Sequence, residues 1–113
     1  MSKLLVKVFD ETCHVCQELA GKDQELAESR GFEFHSIELA DLAAMPEEDP
    51  FRGYVVSYHV SPEDGKVDLP IYVIVNDGAI QASSVVKTLE EITNVVDSWE
   101  VWLKSQSSET LTK

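Results

Sequence analysis

Apolar residues recur along this chain at two different spacings, and the places where the spacing changes divide it into strands and helices. The first run, Leu4-Leu5-Val6-Lys7-Val8-Phe9, is apolar at nearly every position and is interrupted only by Lys7. A strand covered on both faces has this signature. The polar stretch Asp10-Glu11-Thr12 follows, with Thr12 as a candidate helix cap. From His14 to Arg30 the positions Cys16, Leu19, Ala20, Leu26 and Ala27 form a sparse apolar face at helical spacing. Arg30 and Gly31 are stop signals, and Gly21 is a point at which this helix can bend or pack closely. Phe32 to Leu39 opens with a two-residue alternation and reads as a second strand. A strand, a helix and a strand make a βαβ unit, with parallel strands and a right-handed crossover.

The second half is less uniform. Ala40 to Pro50 is acidic and holds Pro46 and Pro50, so it reads as a loop with a single helical turn at Asp41 to Met45. Phe51 to Val60 fits two periods: Phe51, Tyr54, Val55 and Tyr58 suit a helix, whereas Tyr54, Val56, Tyr58 and Val60 suit a strand. The β-branched and aromatic content favours the strand. Asp49 as a cap and Pro50 in the first turn favour the helix, which is preferred because it would cover the second face of the sheet. Ser61 to Lys66 is turn-rich. Ile71-Tyr72-Val73-Ile74-Val75, opened by Leu69-Pro70, is the strongest strand signal in the chain, and Asn76-Asp77-Gly78 turns it back into an antiparallel strand from Ala79 to Ser83. Thr88-Leu89-Glu90-Glu91 is a capping box ahead of an apolar face of Ile92, Val95, Val96, Trp99 and Leu103. Trp99 and Trp102 read as core or half-buried surface. The expected fold is α/β, a central mixed sheet flanked by helices, in one domain over residues 1–104; residues 105–113 read as a polar, fraying tail.

Composition narrows the choice of partners. Nine basic against 21 acidic residues give a net charge of −12, which disfavours direct binding to nucleic acid or to an anionic membrane. The apolar run at the start is too short for a signal peptide, and no stretch approaches the ~20 apolar residues of a membrane helix. The expectation is a cytoplasmic monomer, and in that compartment paired thiols tend to be catalytic or redox-sensing.

Both cysteines lie in Cys13-His14-Val15-Cys16, at the junction between the first strand and the first helix. Disulfide exchange needs a thiolate attacker and a second thiol that resolves the mixed disulfide. A free thiol has a pKa of about 8.5, but a helix N-terminus offers unpaired N–H groups and a positive dipole end that stabilise the thiolate. Cys13 at the N-cap is therefore the candidate nucleophile and Cys16, at the third helical position, the resolving thiol. Two other readings stand beside this one. The pair can be inert core, or half of a zinc site. Zinc would draw on His14, His35 and His59, without a second C-x-x-C or an H-x-x-x-H.

The order of elements, the C-x-x-C after the first strand, Leu69-Pro70 before the third and Asn76-Asp77-Gly78 in the last hairpin resemble the thioredoxin superfamily over nearly the whole chain. The resemblance implies a thioredoxin-like fold and a cis peptide at Pro70. It also implies a substrate-binding surface made by Thr12, His14, Val15, Leu69 and Pro70, with the Leu69 backbone pairing with an extended substrate segment. It implies a thiol–disulfide oxidoreductase acting on protein disulfides, reset by a thioredoxin-reductase-like enzyme or a small thiol, with no bound cofactor or metal. The motif departs from the family pattern. Thr12 replaces a Trp, His14-Val15 replaces Gly-Pro, Val85-Val86 fills a stretch where a Gly is usual, and Lys7 stands where the family has a buried acid. That acid handles the proton of the resolving thiol; here the proton would pass to water or Glu11. A protonated His14 would favour the Cys13 thiolate. The alternative functions are a non-catalytic adaptor subunit of the same fold and a redox-sensing interaction subunit.

Overall fold

Side chains of a strand point alternately to opposite faces, and in this protein the two faces of one sheet carry two separate cores. The computed structural model describes the backbone of residues 3–112 and the side chains of residues 3–105. Its elements are β1 (Lys3–Phe9), α1 (His14–Leu19), α2 (Lys22–Ser29), β2 (Glu33–Glu38), α3 (Leu39–Ala44), α4 (Pro50–His59), β3 (Ile71–Asn76), β4 (Ala79–Val85) and α5 (Leu89–Thr112). The four strands form one sheet in the order β2-β1-β3-β4. β2 runs parallel to β1, as expected for the βαβ unit, while β3 is antiparallel to both β1 and β4.

On one face Leu5, Tyr72 and Ile74 meet Leu19, Ala27, Phe32, Val86, Ile92, Val96 and Trp99 from the α1, α2 and α5 side. On the other, Val8, Ile71, Val73 and Val75 meet Leu42 of α3 and Val55 of α4. All five residues from Ile71 to Val75 are buried, which is why that run carried no alternation: β3 is central and covered on both sides. The hairpin after it has Asp77 at φ 52° and Gly78 at φ 82°; a two-residue turn with positive φ at both positions matches the twist of the flanking strands.

The ambiguous segment is helical as far as His59, and Val60 is extended and bridges to Val67. The Asp49 carboxylate accepts the N–H groups of Phe51 and Arg52 at 2.9 and 3.2 Å, Pro50 sits in the first turn, and Val55 is fully buried against the sheet. Of the expected capping box of α5, the Thr88 half forms: the Glu91 N–H donates to Thr88 Oγ1 at 3.1 Å, while the Glu91 carboxylate accepts from the Thr88 hydroxyl at 3.2 Å.

Several boundaries differ from expectation. The helix expected over His14 to Arg30 is two helices. The Ala20 N–H turns back to Gln17 O at 3.2 Å, and Gly21 takes φ 82° and ψ −42° before α2 begins. Only glycine adopts that conformation at little cost, so the weak point at Gly21 is a full break. Leu39 opens helix α3 instead of closing a strand, so the acidic segment carries six helical residues. β4 continues through Ser84 to Val85, opposite Tyr72 and Ile71. The backbone of α5 is helical to Thr112; the side chains of residues 106–113, within the expected tail, lie outside the described residues. No helix among the described residues is long and apolar enough to cross a membrane.

Candidate active site

Cys13 and Cys16 are joined by a disulfide whose Cα atoms are 5.2 Å apart. Cys13 is the N-cap of α1, with extended φ −82° and ψ 105°. This non-helical backbone lets residues three apart close a bond that a regular helix would hold too far apart. The Cys16 N–H points at Cys13 Sγ, 3.1 Å away, as an N-cap acceptor receives it. The same donor would face a Cys13 thiolate when the bond opens. Cys13 is partly exposed and Cys16 only 3% exposed. The pair is thus asymmetric, with one cysteine partly exposed and the other buried.

The loop ahead of the pair is held by its own side chains. Thr12 donates its N–H and hydroxyl to Asp10 Oδ1 at 3.0 and 3.1 Å, and Gln17 Nε2 donates to Glu11 O at 2.7 Å. Thr12 and His14 are exposed, and His14 has no hydrogen-bond partner among the described residues; Val15 is half-buried and packs against the α5-side core. This end of the sheet is acidic. The Glu38 carboxyl is held above its usual value by partial desolvation first, then by repulsion from Glu11, Asp41 and Asp10.

Strand register brings the second predicted landmark to the same end. Ile71, which follows Pro70, lies opposite Val8 on β1, and Cys13 comes just after that strand ends. The Leu69–Pro70 peptide is cis, and Pro70 is buried. The Leu69 carbonyl accepts a hydrogen bond from Lys87 Nζ at 2.6 Å, and Pro70 O accepts from Val86 N at 3.4 Å.

Beneath the cysteines lies a group that sequence reasoning named only in part. Lys7 is 5% exposed and Asp23 1%. Lys7 Nζ is 2.7 Å from Asp23 Oδ2 and donates to the Cys16 carbonyl at 2.8 Å. The Tyr72 hydroxyl, facing Lys7 across the strand pair, also donates to Asp23 Oδ2 at 2.7 Å. Burial first, and then the Asp23 carboxylate, push the Tyr72 hydroxyl far above its usual value of 10.0, so it stays a donor. Asp23 had no signal in its own surroundings, a charged helix. The available signal was Lys7, because a charge inside an apolar strand requires a buried partner. Among the described residues no group of three or more His, Cys, Asp or Glu side chains converges to hold a metal.

No protein-family model matches the sequence, and no curated protein matches it. Solved structures do. A Schistosoma mansoni thioredoxin, in its reduced pre-protein form, superposes with a TM-score of 0.62 at 15% identity, over 86% of this chain and 78% of that one. A Fasciola hepatica thioredoxin superposes at 0.59 and 15% identity, over 86% and 80%. The chain adopts the thioredoxin fold. A structure of ferredoxin:thioredoxin reductase with thioredoxin f2 is similar at 0.59 and 13% identity, over 88% of this chain and 78% of that one. Within this thioredoxin fold, the disulfide at the head of α1 and the cis proline occupy one end of the sheet.

Proposed function

We propose that this chain is a thiol–disulfide oxidoreductase acting on protein disulfides, with Cys13 as nucleophile and Cys16 as resolving thiol. The observation that carries the reading is the Cys13–Cys16 disulfide itself, at a helix N-terminus with one partly exposed and one buried cysteine. The Cys16 N–H and the α1 dipole favour a thiolate at Cys13. That thiolate attacks one sulfur of a substrate disulfide and the other sulfur leaves. Cys16 then attacks Cys13 Sγ, closing the intramolecular disulfide and releasing the reduced substrate.

Thr12, His14, Val15, Leu69 and Pro70 form the surface that receives the substrate, and the Leu69 backbone pairs with an extended segment. The Lys87 ammonium already occupies one acceptor position of the Leu69 carbonyl. The presence of a thioredoxin f2 beside ferredoxin:thioredoxin reductase in one similar structure supports a reductase of that general kind as electron donor, with a small thiol as the other source. The protein acts as a cytoplasmic monomer and carries its redox equivalents without a bound cofactor.

The test is reduction of a disulfide-bonded protein by the dithiol form, with Cys13→Ser as control. Wild type is expected to turn over and the variant to lose activity by orders of magnitude. Equal, poor reduction by both would remove the enzyme reading. A second reading, a non-catalytic or redox-sensing subunit, draws on Lys7 standing where thioredoxins carry an acid. It predicts no turnover but a partner affinity that differs between dithiol and disulfide forms.

A further inference from the structure

The buried Lys7–Asp23–Tyr72 group is connected to the redox pair through a single backbone atom. α1 ends at Leu19, and the Ala20 N–H bonds to Gln17 O. The Cys16 carbonyl, which a continuous helix would have offered to residue 20, is left as an orphan acceptor inside the protein. Lys7 Nζ fills that vacancy at 2.8 Å. The ammonium therefore lies between the Cys16 carbonyl and the Asp23 carboxylate, with 2.7 Å on the carboxylate side. Taken together the pair is neutral, but it is a dipole whose positive end is turned toward Cys16.

We propose that Lys7 is the positioning residue for Cys16, holding its carbonyl and setting a positive potential that favours the Cys16 thiolate in the resolving step. The inference rests on the oxidoreductase reading and gives that site a charge arrangement of its own. In the mixed disulfide, Cys16 loses its proton to water. Its sulfur then forms a bond to Cys13 Sγ, and the bond from Cys13 Sγ to the substrate sulfur breaks. The substrate sulfur leaves with the electron pair and takes a proton from water. Two electrons pass from the protein dithiol to the substrate disulfide, and no side chain has to accept a proton. The ammonium acts by stabilising the anion.

The titratable groups linked to Cys16 through hydrogen bonds and ion pairs are Lys7 from β1, Asp23 from α2 and Tyr72 from β3, and its own element adds Cys13, His14 and Glu18. Of these, Lys7 is the charged side chain that hydrogen-bonds directly to Cys16, at its carbonyl. Asp23 reaches Cys16 only through Lys7, and Tyr72 only through Asp23. This ordering predicts effects of opposite sign. Removing Lys7 takes away the positive end and leaves a carboxylate nearby. Neutralising Asp23 leaves the ammonium uncompensated.

The experiment places Cys16 alone in a Cys13→Ser background and follows its ionisation by ultraviolet thiolate absorbance against pH. Lys7→Met is expected to move the midpoint up and Asp23→Asn to move it down. Each shift should be about one pH unit or more, a roughly tenfold change in the ionisation constant. The double variant Lys7→Met/Asp23→Leu contains no unpaired charge and keeps the test open should either single variant fail to fold. It is expected to titrate above the wild-type background, because the positive end is gone. Circular dichroism confirms folding in each case. Shifts of the same sign in the two single variants, or a double variant that titrates with the parent, would overturn the proposal. The readout needs no activity. A protein without turnover removes the oxidoreductase reading and leaves the titration standing, whereas a Cys16 ionisation indifferent to Lys7 removes this inference alone.

Discussion

Replacing Asp23 by Ala should be the most destabilising single change in the sheet–helix interface. The carboxylate is 1% exposed and its Oδ2 serves two donors at 2.7 Å, Lys7 Nζ and the Tyr72 hydroxyl. The substitution leaves an ammonium inside the protein with a carbonyl as its remaining partner, and breaking a buried pair from one side costs about 3–5 kcal/mol. The stranded Tyr72 hydroxyl adds about 1–3 kcal/mol where water does not reach it. A domain of this length holds on the order of 6–17 kcal/mol in total, so the variant should lose about a quarter or more of its stability. In urea denaturation this appears as a lower midpoint at unchanged slope. Lys7→Met/Asp23→Leu removes both charges, and replacement of a buried pair by apolar groups is often neutral within a few kcal/mol. The double variant should therefore be more stable than Asp23→Ala, and a cycle closed with Lys7→Met and Asp23→Leu as the single variants should give a coupling energy of about 2 kcal/mol or more. A loss below about 1 kcal/mol for Asp23→Ala, or strictly additive single and double variants, would show that the pair is not a closed buried unit.

Three further outcomes follow from single contacts. Asp49→Ala removes the acceptor for the first N–H groups of α4 and should cost about 1 kcal/mol, with Asp49→Asn retaining most of it; chemical denaturation reads both. Gly21→Ala meets no atom within 4 Å, so any cost is backbone strain at φ 82° and ψ −42°, of order 1–3 kcal/mol; a raised melting temperature would contradict the strained geometry. Burial holds His59 below its ordinary 6.5, while its Nε2 lies 2.7 Å from Ser83 Oγ. The unfolded chain therefore takes up this proton first as pH falls. The stabilising contribution is complete above that unfolded value and is lost as pH drops through the folded one, so His59→Gln should flatten part of the melting-temperature decline below about pH 6.5.

Much of the fold could be read from pattern because few elements were asked to satisfy more than one constraint. β3 is buried on both faces and shows five consecutive apolar residues; α4 and α5 carry their caps in the sequence, at Asp49 and Thr88. The misjudged boundaries are places where two local signals compete. Leu39 continues the apolar alternation of β2 in sequence, but its backbone already opens α3 and it packs with the Leu42 side of the sheet. Helix propensity summed from His14 to Arg30 is high enough to suggest one helix. A single residue at φ 82° divides it, and periodicity does not register a change of axis when the apolar positions on both sides still reach the same core.

The candidate site divides along similar lines. Cys13 and Cys16 could be named because their chemistry is local, a spacing and a cap, and Pro70 through the resemblance to the thioredoxin superfamily. Asp23 could not, since its role depends on the break at Gly21, which brings the first turn of α2 over Lys7. The break and the buried pair are also mutually dependent. Ending α1 at Leu19 orphans the Cys16 carbonyl, Lys7 supplies the donor, and Asp23 balances the charge that this donor brings in. An acid at position 7 would face both a bare carbonyl and a second carboxylate, with nothing left to donate to either. Lys7 is therefore no isolated departure that one substitution could reverse to the usual thioredoxin arrangement. Position 7, the end of α1 and Asp23 must change together, so in this chain the Cys16 carbonyl is tied to an ammonium in place of a carboxylate.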